Sequence, residues 1–299
     1  MKILVPRIMN YYEGSLIETY SGSIVRELRG VGHEVTEVSK NRLANLDKYK
    51  DYDLLLDIDC GRDTDQSYKF HLWDDRVPIK SAIILIDSHG RPDAHIHLSR
   101  HADHVFFAVW DKRDIFSDHP SAHWFPNFTD LSQFNGVRHN EEKMFDFCFF
   151  GSKGGWKRAD PLVEICNKNN YTYDVDEVGK PGKHRWPRTA DRMAKCRFGF
   201  NHGQKHDGPN LRIMETMAMK LPLICDQDPR DGKGYLFEPW QHYIPYEAYT
   251  YNGLEERMKW CLNNPEKAAK IAENAYDEVK LNHLAEHRVQ KLLEVVCQK

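Results

Sequence analysis

The sequence predicts an α/β protein of two domains, each built on a parallel sheet. Three observations predict it. Short apolar runs of strand length alternate with helical patterns from the first residue onward. A polar break at residues 127–142 interrupts the alternation, and the alternation restarts at Phe145. Strands that alternate with helices pair in parallel and are covered on both faces, so they read as continuous apolar runs. The length of 299 residues fits two domains of roughly 150 residues each.

Residues 1–6 read as a strand ending in Pro6, and a loop rich in Asn, Tyr, Gly and Ser follows at 10–15. Ile17, Ile24, Val25 and Leu28 fall at helical spacing, which predicts a helix over 17–30 stopped by Gly30 and Gly32. Residues 33–38 read as the second strand. The join L-R-G-V-G-H-E-V is common between the first helix and second strand of a Rossmann-like domain. Residues 53–58, 82–86 and 105–109 read as further strands. Beyond the break, which reads as an interdomain linker, 145–150 is a strand, 160–168 a helix and 172–175 a strand. A helix at 190–196, a strand at 198–201, a helix at 211–219 and a strand at 223–226 follow. From 254 to 299 the chain is almost wholly helical, with a stop at 263–265.

Hydrophobic residues make up 40% and charged residues 29%, an ordinary globular balance. No run reaches the ~20 apolar residues of a membrane helix, and the first residues lack the pattern of a signal peptide. The seven cysteines are odd in number and none stands in a C-x-x-C pair, so a zinc ribbon or redox motif is not expected. Cysteines in apolar stretches suit a reducing compartment, and a cytoplasmic protein is expected. A formal net charge of −3 does not mark a nucleic-acid binder. The sixteen histidines show no H-E-x-x-H spacing. Asp57-Ile-Asp59 reads D-x-D, a match attributed to chance.

The most informative segment runs from Asp207 to Glu215 and on through T-M-A-M-K-L-P-L-I-C-D to Asp226. Gly208 and Pro209 precede a helix beginning near Asn210 and Leu211. A helix N-terminus offers unpaired N–H groups and a positive dipole end to a phosphate. Arg212 adds a cation suited to a diphosphate. Glu215, one turn on, can accept two ribose hydroxyls. Taken alone, the same two residues also make an i,i+3 ion pair on an ordinary helix.

The spacing of Asp207 and Glu215, with the M-A-M-K-L-P-L-I that follows, resembles the E-x7-E region of group 1 glycosyltransferases, and most closely their spore-maturation-protein-like branch. The resemblance implies the GT-B fold: two Rossmann-like domains with parallel sheets facing a cleft, and a C-terminal helix crossing back to the first. It implies a nucleotide diphosphate sugar held by the C-terminal domain, with Glu215 on the ribose, Arg212 on the diphosphate and Asp207 on the donor sugar. Asp207 stands where the family has a first glutamate, and Lys220 where glycine is common. H-Y-I-P-Y ending at Tyr246, N-P-E at 264–266 and the helix H-L-A-E-H-R from His283 resemble further family blocks, so the resemblance extends over residues 147–290.

A second segment, F-F-G-S-K-G-G-W-K-R, ends at Arg158. Gly151, Gly154 and Gly155 allow close backbone approach to phosphate, and Lys157 and Arg158 supply charge. The family places a G-S turn, here Gly151 and Ser152, at the donor phosphates. A plain strand-to-helix turn reads the same way. A third segment puts Asp87 and His89 after an apolar strand, where open α/β sheets hold ligands. Either one serves as general base for a hydroxyl acceptor, or both shape a turn. Glu13 and Gly14 follow the first strand and are expected on the acceptor side. The cluster Lys180, Lys183, His184, Arg185 and Arg188 beside Trp186 reads as a loop at the donor site or a nucleic-acid track.

The sequence thus predicts a metal-independent glycosyltransferase that needs no cofactor beyond its donor. Residues 1–130, with 282–299, form the acceptor domain, and 143–281 the donor domain. The acceptor is a hydroxyl on a glycan, a small molecule or a modified DNA base. The competing classes are a sugar-nucleotide epimerase of the same fold and a non-catalytic nucleotide-sugar-binding module.

Overall fold

Among the residues described, every strand pairing is parallel, in one sheet of six strands and one of five. The computed structural model describes residues 1–7, 16–39, 46–59, 79–86, 88, 90–137, 141–152, 158–178, 186–203, 210–226, 236–247 and 250–298. The chain forms two units, Met1–Asn127 with Ala285–Lys299, and Phe128–Leu284.

In the first unit the chain order is β1 (Lys2–Arg7), α1 (Leu16–Gly30), β2 (Glu34–Ser39), β3 (Leu54–Asp59), β4 (Ser81–Leu85), α2 (Pro92–Ser99), β5 (His104–Phe107) and β6 (Ala122–Trp124). The sheet order is β2-β1-β3-β4-β5-β6. Leu54, Leu55, Leu56, Ala82, Ile83, Ile84 and Leu85 have no exposed surface, as central parallel strands covered on both faces require. The D-x-D of Asp57 and Asp59 lies within β3, paired to β4. The last helix, α8 (Ala285–Val296), belongs to this unit and packs on α1. Buried Arg288 on α8 donates from Nε to the Pro126 carbonyl at 2.7 Å and from Nη2 to that of Asn127 at 3.2 Å.

Sequence patterning did not reveal α2 or β6. The inward face of α2 is largely polar: Ala94, His95 and Ser99 are its buried residues, so no apolar period marks it. Strand β6 is three half-buried residues at the sheet edge.

The second unit runs β7 (Phe145–Ser152), α3 (Asp160–Asn169), β8 (Tyr173–Val178), α4 (Trp186–Ala194), β9 (Cys196–Asn201), α5 (Leu211–Ala218), β10 (Leu223–Cys225), β11 (Ile244–Pro245), α6 (Leu254–Asn263) and α7 (Pro265–Asn282). The sheet order is β11-β10-β9-β7-β8. Successive strand residues face two separate cores. Phe147, Phe149, Phe198, Phe200 and Ile224 join the side covered by α3 and α6. Cys148, Phe150, Leu223 and Cys225 join the side covered by α4 and α5. Phe134 is buried in that second core, and the Gly136 N–H donates to the Ala218 carbonyl at 2.9 Å.

Strand β8 continues to Val178, three residues past the end the sequence suggests. Its acidic residues end the apolar pattern, yet Arg192 of α4 bonds both Asp174 and Asp176 on one face of the strand. The guanidinium also lies over the Phe150 ring, 4.7 Å from its centroid. A planar cation shared by two carboxylates holds an acidic strand in the sheet.

Candidate functional site

In the second sheet the chain leaves β7 for β8 on one side, then returns for β9, β10 and β11 on the other. This reversal opens a crevice between the carboxyl ends of β7 and β9, the position where open parallel sheets bind ligands. Arg158, Asn201, His202, Gly203, Asn210, Asp226 and Tyr246 come from the segments that follow the carboxyl ends of β7, β9, β10 and β11.

Helix α5 starts here. Asn210 is its N-cap, with extended backbone (φ −78°, ψ 165°), and its Oδ1 accepts from the Ile213 N–H at 3.3 Å. Its Nδ2 donates to Asn201 Oδ1 at 3.2 Å, which ties the helix start to the end of β9. On the helix, Arg212 Nη1 lies 2.6 Å from Glu215 Oε2, with side chains only 14% and 6% exposed. The i,i+3 pair anticipated on an ordinary helix does form, but it is buried rather than solvated. Burial pushes the Glu215 carboxyl up to about 7, and the Arg212 charge opposes that rise.

Arg158 is not a solvated cation. It is buried, its Nε donates to the His202 carbonyl at 2.8 Å, and its guanidinium covers the Phe149 ring at 5.5 Å. It straps the segment after β7 to the end of β9. At Gly151 an added Cβ would come 2.5 Å from the Phe149 ring, so the end of β7 requires glycine. Ser152 is paired through its backbone with Val178.

A second cluster escaped the sequence reading. His202 Nδ1 lies 2.7 Å from Asp226 Oδ2 and 2.8 Å from the Tyr246 hydroxyl oxygen. That hydroxyl donates to the Asn201 carbonyl at 3.3 Å, which assigns the proton between ring and phenol to Nδ1. The other Asp226 oxygen accepts from the Gly203 N–H at 2.7 Å. The Tyr251 ring stacks on the imidazole with centroids 4.2 Å apart. Burial, with the Asp226 charge nearby, holds the Tyr246 phenol well above its usual value. The available signal was position: Asn201, Asp226 and Tyr246 each end or directly follow a short strand.

Asp207, Lys157, Asp87, His89, Glu13 and Gly14, together with Lys180, Lys183, His184 and Arg185, lie outside the described residues. Between Asp87 and His89, Ser88 is fully buried and its Oγ lies 2.9 Å from Nδ1 of the equally buried His95. Among the described residues, no group of three or more His, Cys, Asp or Glu side chains is placed to hold a metal ion.

Residues 136–294, more than half of the chain, match the family model described as glycosyl transferase-like. The chain belongs to this family. It is a glycosyltransferase, and the match spans the whole crevice of the second unit together with α6, α7 and most of α8. No curated protein matches the chain in sequence. Among solved structures it resembles an alpha-glucosyltransferase in complex with UDP-glucose and DNA containing an abasic site, at 14% identity and a TM-score of 0.70 over 99% of both chains. HepE of Anabaena, in complex with UDP and glucose, matches at 12% identity and a TM-score of 0.66 over 99% of both chains. Sucrose-phosphate synthase from Thermosynechococcus elongatus matches at 12% identity and a TM-score of 0.66 over 99% of this chain and 98% of that one. The likeness is one of fold, and the fold of this glycosyltransferase is GT-B. Among the described residues, no helix is long and apolar enough to cross a membrane.

Proposed function

We propose that this glycosyltransferase takes its sugar from a nucleotide diphosphate sugar bound at the carboxyl edge of the second sheet, and passes it to an acceptor hydroxyl. The observation that carries this reading is the buried Arg212–Glu215 pair on a capped helix whose N-terminus opens on the sheet crevice. The positive dipole end at the start of α5, at Leu211 and Arg212, and the Arg212 charge oppose the charge of a diphosphate. Such fixed dipoles stabilise the departing nucleotide without reorganising during the reaction. Glu215 takes the ribose hydroxyls, Asp207 the donor sugar, and Gly151, Ser152, Lys157 and Arg158 line the phosphate side. Asp87 or His89 serves as base, and Glu13 and Gly14 lie on the acceptor side, which assigns the acceptor to the first unit. Two of the structures with this fold were solved with UDP or UDP-glucose, which favours a uridine donor. The six described cysteines are free thiols and five are buried, which supports a reducing, cytoplasmic setting.

Calorimetric titration with UDP-, GDP- and ADP-glucose tests the donor. One of them should bind the wild type, and Arg212→Ala should weaken it by tenfold or more, since a charge-assisted contact contributes about 1.5–3 kcal/mol. Unchanged affinity in the variant would remove the diphosphate role.

The second reading concerns the acceptor alone. A structure with this fold was solved with DNA containing an HMU base, so a hydroxymethylated base in DNA belongs in the acceptor panel beside glycans and small alcohols. Nucleotide release that requires the DNA selects that reading.

A further inference from the structure

We infer that Asn201 is a positioning residue of the donor site, one that fixes the start of α5 against the end of β9 so that the helix dipole meets the diphosphate. The inference rests on the donor reading above and adds a residue that reading does not use.

Asn201 ends β9, beside the crevice where the sheet order reverses, and has no exposed surface. Its backbone carbonyl accepts from the Asp226 N–H at 3.4 Å and from the Tyr246 hydroxyl at 3.3 Å. The residue is thereby held to the segments that follow β10 and β11. Its side chain reaches α5, where Oδ1 accepts from Asn210 Nδ2 at 3.2 Å. Its Nδ2 donates to the sulfur of Cys225, the last residue of β10, at 3.5 Å.

The helix cap fixes the direction of these bonds. Asn210 Oδ1 accepts from the Ile213 N–H, which leaves Nδ2 as the group that turns to Asn201. A donor there requires an oxygen on Asn201, and so sets the Asn201 Nδ2 against the Cys225 sulfur, a weak acceptor. The two amides fit together in one orientation.

Such a pair does something that core packing does not. Ile213, Met214 and Met217 hold α5 on the sheet through apolar contact, which is non-directional. A hydrogen bond between two fixed amides is directional and sets where the first turn stands against the strand. Asn201 and Asn210 are nine positions apart, so the link is not part of a local turn. A buried neutral pair adds little net stability, because both amides give up water to form it. Its place, directly before Leu211 and Arg212, gives it a geometric use. The field of a helix end falls off within one turn, so a small displacement of α5 weakens its hold on a diphosphate.

The test is the affinity of the wild type, N201A, N210S and N201A/N210S for two ligands, measured by calorimetry beside a urea transition of each protein. The ligands are the nucleotide sugar selected from the UDP-, GDP- and ADP-glucose panel and its parent nucleoside diphosphate. N210S keeps an oxygen for the Ile213 N–H and gives up the amide that reaches Asn201. It therefore breaks the tie from its half-buried end and decides the question alone if N201A shows no cooperative transition. The expected result is that each single variant binds both ligands about two- to tenfold more weakly, the range of one hydrogen bond. The double variant should bind no more weakly than the weaker single variant, since both remove the same contact. A purely structural role would lower the urea midpoint and leave the affinities unchanged. Wild-type affinity in the folded variants, a loss confined to the sugar, or losses that add in the double variant would each overturn the role of Asn201 while the donor reading stands. Absence of wild-type binding to every sugar in the panel removes both.

Discussion

Arg212 and Glu215 stand one turn apart on α5, with Nη1 2.6 Å from Oε2, and Glu215 is almost wholly shielded from water. Desolvation favours the protonated carboxyl more than the neighbouring cation favours the carboxylate, so the folded value rises from 4.5 to about 7. A raised acid contributes stability that is complete below about 4.5 and is lost as pH rises through about 7. Thermal melts of the wild type should therefore fall between about pH 5 and pH 8 through this group. E215Q, which cannot ionise, should flatten that slope. Parallel pH profiles for the two proteins would refute the assignment.

Gly199 lies in β9 beneath α5. A Cβ there would come 2.6 Å from Thr216 Cγ2 and 3.2 Å from Leu221 Cδ2. G199A should cost about 1–3 kcal/mol of stability by overpacking and weaken donor binding by displacing α5. T216S removes the methyl that the new Cβ meets. The double variant G199A/T216S should recover most of the loss in a denaturant titration, and simple additivity of the two single variants would exclude this contact as the cause.

Asn210 both caps α5 and bonds Asn201. N210A should lower stability by about 1–2 kcal/mol and reduce donor affinity, because it loosens the helix start from β9. N210S keeps an acceptor for the Ile213 N–H and should lose less. Equal losses in chemical denaturation would show that the tie to Asn201, not the cap, carries the effect.

Lys220 occupies the left-handed region at φ 52°. Its N–H bonds the Met217 carbonyl at 3.0 Å, and the Leu221 N–H bonds the Thr216 carbonyl at 3.2 Å, the paired bonds of a Schellman stop. The family resemblance places glycine at this position, and the backbone explains why. K220G should stabilise the unit by roughly 0.5–1 kcal/mol through relief of strain. That gain is partly offset by loss of the Lys220 cation from the Tyr276 ring, 5.0 Å away. A lower melting temperature would overturn the strain argument.

The sequence exposed most of this fold because buried parallel strands leave an unambiguous trace. The runs that became β3, β4 and β7 are apolar since both faces of each strand are covered. Helix α2 and strand β6 left no such trace, because one turns buried histidine and serine inward and the other is a short edge. The end of β8 was hidden by Asp174 and Asp176, whose place in a sheet makes sense only with Arg192 across from them.

At the site, local sequence set which residues share α5: spacing alone places Arg212 and Glu215 on one face, and Asn210 before a helical run is a cap. The tertiary structure decided their environment. Burial of the pair, and with it the raised carboxyl, depends on α5 lying against β9 and β10. Arg158 became a strap and His202 met Asp226, Tyr246 and Tyr251 only because parallel strands bring their carboxyl ends to one edge of the sheet. Spacing along a helix is a local property that a sequence carries in full. Contacts between the ends of different strands follow from sheet order, which long-range packing selects.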